Sequence, residues 1–287
     1  MTDHAKERLS PVWLRYGEVE VERGEGVWLI DRQGNRYLDF TSGIAVVSTG
    51  HAHPQVVRAV QEQAAKLLHG QANLVYHQPL LELVEALAQV MPHPSLDTFF
   101  LSNSGAEAVE ASIKLAKQAT GRPNLIAFQG GFHGRTYGAL SLTTSKTLYR
   151  VGLEPLLGGI YFAPFPYPYR MAIEPEACGQ VCLEQLETML TTQVDPRTVA
   201  AMIVEPILGE GGYVFPPRNF LPGLRAICDK HGILLILDEV QTGFGRTGKM
   251  FAVEHTGVRP DILVMAKGIA SGLPLSAIAA PRSLMEK

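Results

Sequence analysis

The chain has 287 residues, 46% of them hydrophobic, with 25 Lys and Arg against 28 Asp and Glu and a formal net charge of -3. That length supports one large or two modest domains with a sizeable core, and the slightly acidic balance gives no electrostatic footing for nucleic acid or an anionic membrane. No apolar run approaches the ~18 residues needed to cross a bilayer, the opening MTDHAKERLS has no apolar signal core, and Cys178, Cys182 and Cys228 are too few and scattered for a disulfide framework. The expectation is a soluble, cytoplasmic protein.

In chain order, GVWLIDRQGNRYLDF (Gly26 to Phe40) reads as a β-hairpin joined through Gln33-Gly34-Asn35. PQVVRAVQEQAAKLLH and PLLELVEALAQVM carry helical periodicity. DTFFLSNSGAEAVEASIKLAKQAT reads as strand, turn and helix, and PNLIAFQGGFHG as a strand entering a glycine-rich turn. The proline- and aromatic-rich APFPYPYR reads as a surface loop. VAAMIVEPILGEGG is a strand, FLPGLRAICDKHGILLILDEV a helix followed by a strand, and DILVMAKG a further strand. Strands separated by helices imply parallel pairing and an α/β sheet covered on both faces.

In open α/β sheets, ligands gather beyond the carboxyl ends of the strands. Five segments end there in chemically pointed residues. After the first strand, Ser102-Asn103-Ser104-Gly105 leads into a helix, which is either an ordinary cap by Ser104 or an anion site at exposed helix amides. In the next segment, Gly130, Gly131 and Gly134 free the backbone around Phe132, His133 and Arg135. Such a turn suits stacking of a ring and gripping of a carboxylate, or else it is a flexible surface turn. Glu205 and Glu210 follow a third strand, and paired acids on a loop are most often solvated or salt-bridged. Asp238 and Lys267 end two successive buried strands. A buried acid needs compensation, and a buried lysine is either paired with an acid or made nucleophilic by desolvation. A simple Asp238–Lys267 ion pair is the plain alternative.

The runs SNSGAEAVEASIKLA, GGFHGRT, EPILGEGG, LDEVQTGFGRTGKMFA and AKGIASGLPLSA resemble the class III, or ω-, aminotransferases. The likeness extends from DFTSGIAVVSTGHAHP to the last residues and is nearest in flavour to 4-aminobutyrate and acetylornithine aminotransferases. It implies pyridoxal phosphate as cofactor and the fold-type I architecture. That architecture has a mainly parallel, seven-stranded-type sheet in a large domain, here 51–287, with 1–50 as part of a small domain. It also implies Lys267 as the Schiff-base lysine and Asp238 as partner of the pyridine nitrogen. Val240 and Phe132 would sandwich the ring, Gln241 would reach its phenolic oxygen, and the amides of Gly105 and Ala106 would hold the phosphate. Arg135 would clamp the distal carboxylate of an ω-amino acid, Ile44 would form pocket wall, and Glu210 would neutralise a second arginine when no carboxylate occupies it. Glu239 alternates to the other strand face and is expected to be structural.

The implied reaction moves an amino group from a 4-aminobutyrate-like donor to a 2-oxo acid such as 2-oxoglutarate, in a homodimer. Relatives continue past the position of Lys287, so the chain is expected to lack the second arginine, a threonine loop serving the neighbouring subunit and most of the small domain. A racemase or aminomutase of the same family, or a non-catalytic cofactor-binding chain, stands as the alternative.

Overall fold

The computed structural model describes residues 3–13 and 15–287. The first elements are α1 (Asp3–Glu7), β1 (Val21–Glu25), β2 (Trp28–Asp31), β3 (Arg36–Leu38), α2 (Ser42–Ala45), α3 (Pro54–Ala64) and α4 (Gln78–Val90). There follow β4 (Thr98–Ser102), α5 (Gly105–Thr120), β5 (Asn124–Phe128), α6 (Tyr137–Leu142), β6 (Ile160–Ala163), α7 (Pro168–Met171) and α8 (Pro175–Thr192). The last are β7 (Val199–Val204), α9 (Phe220–His231), β8 (Leu234–Asp238), β9 (Ile262–Met265), β10 (Ser276–Ala280) and α10 (Arg282–Met285).

Two compact units emerge: residues up to Ser42 with Thr49–Leu68, and Gly43–Ser48 with His69–Lys287. The first holds an antiparallel sheet in the order β1-β2-β3. The β2–β3 hairpin turns at Gln33 to Asn35, where Asp31 accepts hydrogen bonds from the backbone of Gln33 and Asn35. Asp39 binds His51 Nε2 at 2.8 Å, and Gly26 and His51 exchange both backbone hydrogen bonds.

The second unit is built on a seven-stranded sheet in the order β4-β10-β9-β8-β7-β5-β6. Residues alternate between its faces along each strand. On one face Met202, Val204, Leu235 and Leu237 pack with Phe128, Leu186, Phe220 and Leu224, the last three from α8 and α9. On the other, Ala201, Ile203 and Ile236 pack with Val109, Ile113 and Ala116 of α5. Both faces being covered, β7, β9 and β10 are buried at every position, which is why β7 and β9 are unbroken apolar runs and β10 is apolar after Ser276. Helix α5 starts with a capping box, Ser104 and Glu107 each bonding the other's backbone, and it stops at Gly121 with φ 67°.

The mainly parallel seven-stranded sheet is as expected, with one strand reversed, and one reading needs correction. Pairing is parallel among β5, β6, β7, β8 and β9, but β10 runs against both β4 and β9. The link Ala266–Leu275 is too short for the crossover of a dozen or more residues that a parallel return requires. The stretch APFPYPYR is not a plain surface loop, since Ala163 ends β6, Phe165 and Pro166 are buried, and α7 begins at Pro168. Among the described residues, no helix is long and apolar enough to cross a membrane.

Candidate active site

Strands β5, β7, β8 and β9 point the same way, and β4, antiparallel to β10 as β9 is, shares their direction. Their carboxyl ends therefore deliver Gly105, the turn 129–135, Glu205, Asp238 and Lys267 to one edge of one sheet.

Asp238, 3% exposed, is the centre of this edge. Its Oδ2 lies 2.8 Å from Nδ1 of His133, and its Oδ1 accepts the Val240 N–H at 3.0 Å. The ion-pair partner of the acid is thus His133 rather than Lys267. His133 is pinned in turn by its backbone N–H, which donates to Thr143 Oγ1 at 2.9 Å. Burial works against a charged imidazole, yet the hydrogen bond and charge of Asp238, with the charge of Glu205, lift its proton affinity above the ordinary histidine value.

Glu205 departs from the expectation of a solvated acid. It is 5% exposed and directly follows β7, and its two oxygens accept from Phe132 N–H and Gly209 N–H, each at 2.7 Å. Burial pushes its pKa up to about 7, with Asp238 adding to the rise and His133 opposing it. Glu239 is fully buried on the opposite strand face and accepts from the backbone N–H groups of Ala252 and Val253 and from the Thr242 hydroxyl, which makes it structural.

Lys267 stands just after β9 with φ 50°, a left-handed backbone that a non-glycine residue adopts at a cost. Burial lowers its proton affinity, and the charges of Asp238, Glu205 and Glu210 only partly restore it. All three acids are therefore electrostatic neighbours of this amine. Its successor Gly268 is packed so tightly that an added Cβ would lie 2.8 Å from Ser48 Oγ and 2.9 Å from Phe244 Cβ.

The start of α5 closes the same space. A Cβ on Gly105 would sit 3.0 Å from Val240 and 3.6 Å from Ala266, so the helix amides stand beside the residues flanking Asp238 and Lys267. A Cβ on Gly134 would sit 2.7 Å from that of Ala106, which holds the 129–135 turn on the same helix start. The amide oxygen of Gln241 and Nε2 of His133 are buried with no protein partner among the described residues. Half-buried Phe132 meets Tyr149 edge to face at 5.5 Å, and Tyr149 and Lys146 both donate to Glu210 Oε1, at 2.6 and 2.7 Å. Arg135 is exposed and acts electrostatically on Tyr149. Ile44 is 64% exposed and belongs to the left-handed turn Ser42–Ala45.

Such an edge offers an amine with suppressed proton affinity, a fixed buried carboxylate and a helix start suited to an anion. The family model described as aminotransferase class-III matches residues 12–287. This chain belongs to the class III aminotransferases. It is 41% identical over 268 residues to the 5-aminovalerate aminotransferase DavT of Pseudomonas aeruginosa, covering 93% of this chain and 62% of that protein. It is 44% identical over 270 residues to an acetylornithine aminotransferase of Archaeoglobus fulgidus, covering 94% of this chain and 65% of the relative. The chain thus spans less than two thirds of the length of these relatives. Its fold superposes on taurine:2-oxoglutarate aminotransferase from Bifidobacterium kashiwanohense, in complex with PLP and glutamate, with a TM-score of 0.92 and 30% identity, covering 99% of this chain and 64% of that one. Class III aminotransferases are pyridoxal phosphate enzymes.

Sequence reading of this class III site missed two members, His133 as the partner of Asp238 and Glu205 as a buried acid. Glu205 carries a usable signal, because it ends an apolar strand just as Asp238 does.

Proposed function

We propose that this site transfers an amino group from an ω-amino acid of the 4-aminobutyrate type to a 2-oxo acid such as 2-oxoglutarate. The observation that carries the reading is a lysine with lowered proton affinity at the mouth of one buried strand, beside a buried carboxylate at the mouth of the next. The residues present fit pyridoxal phosphate. The capped helix start at Gly105 and Ala106 suits its phosphate, Asp238 suits a protonated ring nitrogen, and the unpartnered oxygen of Gln241 suits a ring hydroxyl. Phe132 and Val240 would flank the ring.

When bound, the cofactor supplies an aldehyde that carries the amino group and a ring that withdraws electrons from the reacting carbon. Asp238, oriented by His133 and the Val240 amide, would face a protonated ring nitrogen of the cofactor. Lys267, its proton affinity lowered by burial, would take a proton from the substrate carbon and return it as general base and acid. Arg135 takes the distal carboxylate as a bidentate partner. Ile44 borders the donor pocket, and Glu210, held by Lys146 and Tyr149, is the acid that answers an unoccupied carboxylate site. The working form in this reading is a cytoplasmic homodimer, which would cover residues such as Leu74 and Tyr76, 80% and 83% exposed.

Borohydride reduction in the presence of pyridoxal phosphate, followed by peptide mass mapping, tests the lysine. The label belongs on Lys267 and is absent in Lys267→Ala. A donor and acceptor screen tests the reaction. Labelling elsewhere, or turnover of a single amino acid with no 2-oxo acid, as a racemase or aminomutase gives, would refute the proposal.

A further inference from the structure

The turn that carries Arg135 is anchored on both sides to a single helix. On its N-terminal side, Gly134 presses against Ala106, where any larger residue would collide. On its C-terminal side, a single oxygen of Glu110 accepts three hydrogen bonds. They come from the Thr136 hydroxyl at 2.7 Å, the Gly138 N–H at 2.8 Å and the Ala139 N–H at 3.1 Å. Ala106 and Glu110 both lie on α5, about one turn apart, or ~6 Å along its axis.

The bonds from Gly138 and Ala139 have a local reason. Helix α6 begins at Tyr137, and its N-cap Thr136 makes no side-chain capping bond of its own. The first amides of a helix need an outside acceptor, and Glu110 supplies it from another element. Gly138 is the matching adaptation, since a Cβ there would overlap the Glu110 carboxylate. Glu110 is half-buried, whereas Arg135 itself is exposed and has a long, flexible side chain. Left to itself, such a side chain loses much rotamer freedom when it grips a ligand, and a fixed backbone origin reduces that loss.

We propose that Glu110 is a positioning residue for substrate selection. By tying Thr136, Gly138 and Ala139 to α5, it fixes the distance between Arg135 and the helix start at Gly105 and Ala106, so that the reach from cofactor phosphate to distal carboxylate is set by one rigid element. This rests on the reading of Arg135 as the carboxylate grip. Glu110 touches neither substrate nor cofactor in this role; it acts through the backbone of the Arg135 turn.

The test is a binding measurement on the cofactor-loaded chain by titration calorimetry, with pentanoate and its uncharged isostere pentanamide as probes. The ratio of the two affinities reports carboxylate recognition apart from general integrity of the pocket. The wild type should prefer pentanoate by about tenfold or more, and Arg135→Ala should abolish that preference. Glu110→Ala should remove most of it while leaving pentanamide and pyridoxal phosphate affinity within about twofold. Glu110→Gln, which keeps the accepting oxygen, should restore it. Adding Glu110→Ala to Arg135→Ala should change nothing further, because the two act in series. Thr136→Val, which removes one donor only, should give an intermediate loss and decides the matter if Glu110→Ala does not fold. Loss of preference in Arg135→Ala without loss in Glu110→Ala or Thr136→Val overturns the role of Glu110 and leaves Arg135 standing. Full preference in Arg135→Ala overturns the reading of Arg135 and this proposal with it. Equal weakening of both probes by Glu110→Ala, or additive losses in the double variant, makes Glu110 a general structural residue and also overturns it.

Discussion

His133 Nδ1 and Asp238 Oδ2 lie 2.8 Å apart with their side chains 0% and 3% exposed, a pair sealed from water at the carboxyl edge of the sheet. Among the described residues, Asp238 has one further hydrogen-bond donor, the Val240 N–H. Replacing His133 by Phe therefore strands a buried carboxylate with half its support. Removal of one partner of a buried pair typically costs about 3–5 kcal/mol. Urea unfolding of His133→Phe should show a loss of that order, and an unchanged midpoint would mean the pair does not hold the site together.

Glu205 gives stability a definite pH dependence. Its pKa is about 7 in the fold, chiefly through burial, against 4.5 without it. Between those values the native state holds a proton that the unfolded chain has lost, so stability is full below about 4.5 and declines as pH rises through 7. His133, lifted above its ordinary value, and Glu239, also raised to about 7 by burial, act in the same direction. The cofactor-free chain should be less stable at pH 7.5 than at pH 5, with Glu205 contributing on the order of 2–3 kcal/mol. Glu205→Gln should flatten the slope by about that share. Denaturant titrations at the two pH values check this, and a wild-type stability that rises with pH would contradict it.

Asp238→Asn should leave cofactor binding measurable and slow amino transfer by more than tenfold, or ~1.4 kcal/mol of barrier, because a neutral amide does not hold the ring proton. Single-turnover kinetics with a saturating donor give the figure. A smaller loss would remove Asp238 from the electron-withdrawing role.

Arg135→Ala should lower kcat/KM for donors with a distal carboxylate by tenfold or more and leave simple monoamines nearly unchanged, since only the former lose a charge-assisted bidentate contact. Equal losses for both donor types would make Arg135 structural.

The legible parts of this molecule are those whose cause is local. Asp238 and Lys267 announce themselves because a charged residue closes an apolar strand, and Ser104 because a capping residue stands where a strand turns into a helix. Glu205 follows the same rule at the end of β7, but the glycine-rich loop behind it and its companion Glu210 suggest a solvated surface. The link from His133 to Asp238 bridges 105 positions of sequence, and no local spacing encodes it. Strand β10, with the sequence SAIAA, is small-residue and short, and its direction follows from the length of a connection rather than from its own composition.

Strand β4 touches the sheet only through β10, among the described residues, and the pair is closed by Ser102 and Ser276, whose hydroxyls lie 2.7 Å apart across 174 positions. That contact is among the most non-local in the chain, and pairing of this kind is slow to form. Helix α5, which leaves β4, packs with Ile203 of β7, Ile236 of β8 and Val264 of β9. Loosening β10 would therefore disturb the anion cradle at Gly105 and the strand that leads to Lys267 together.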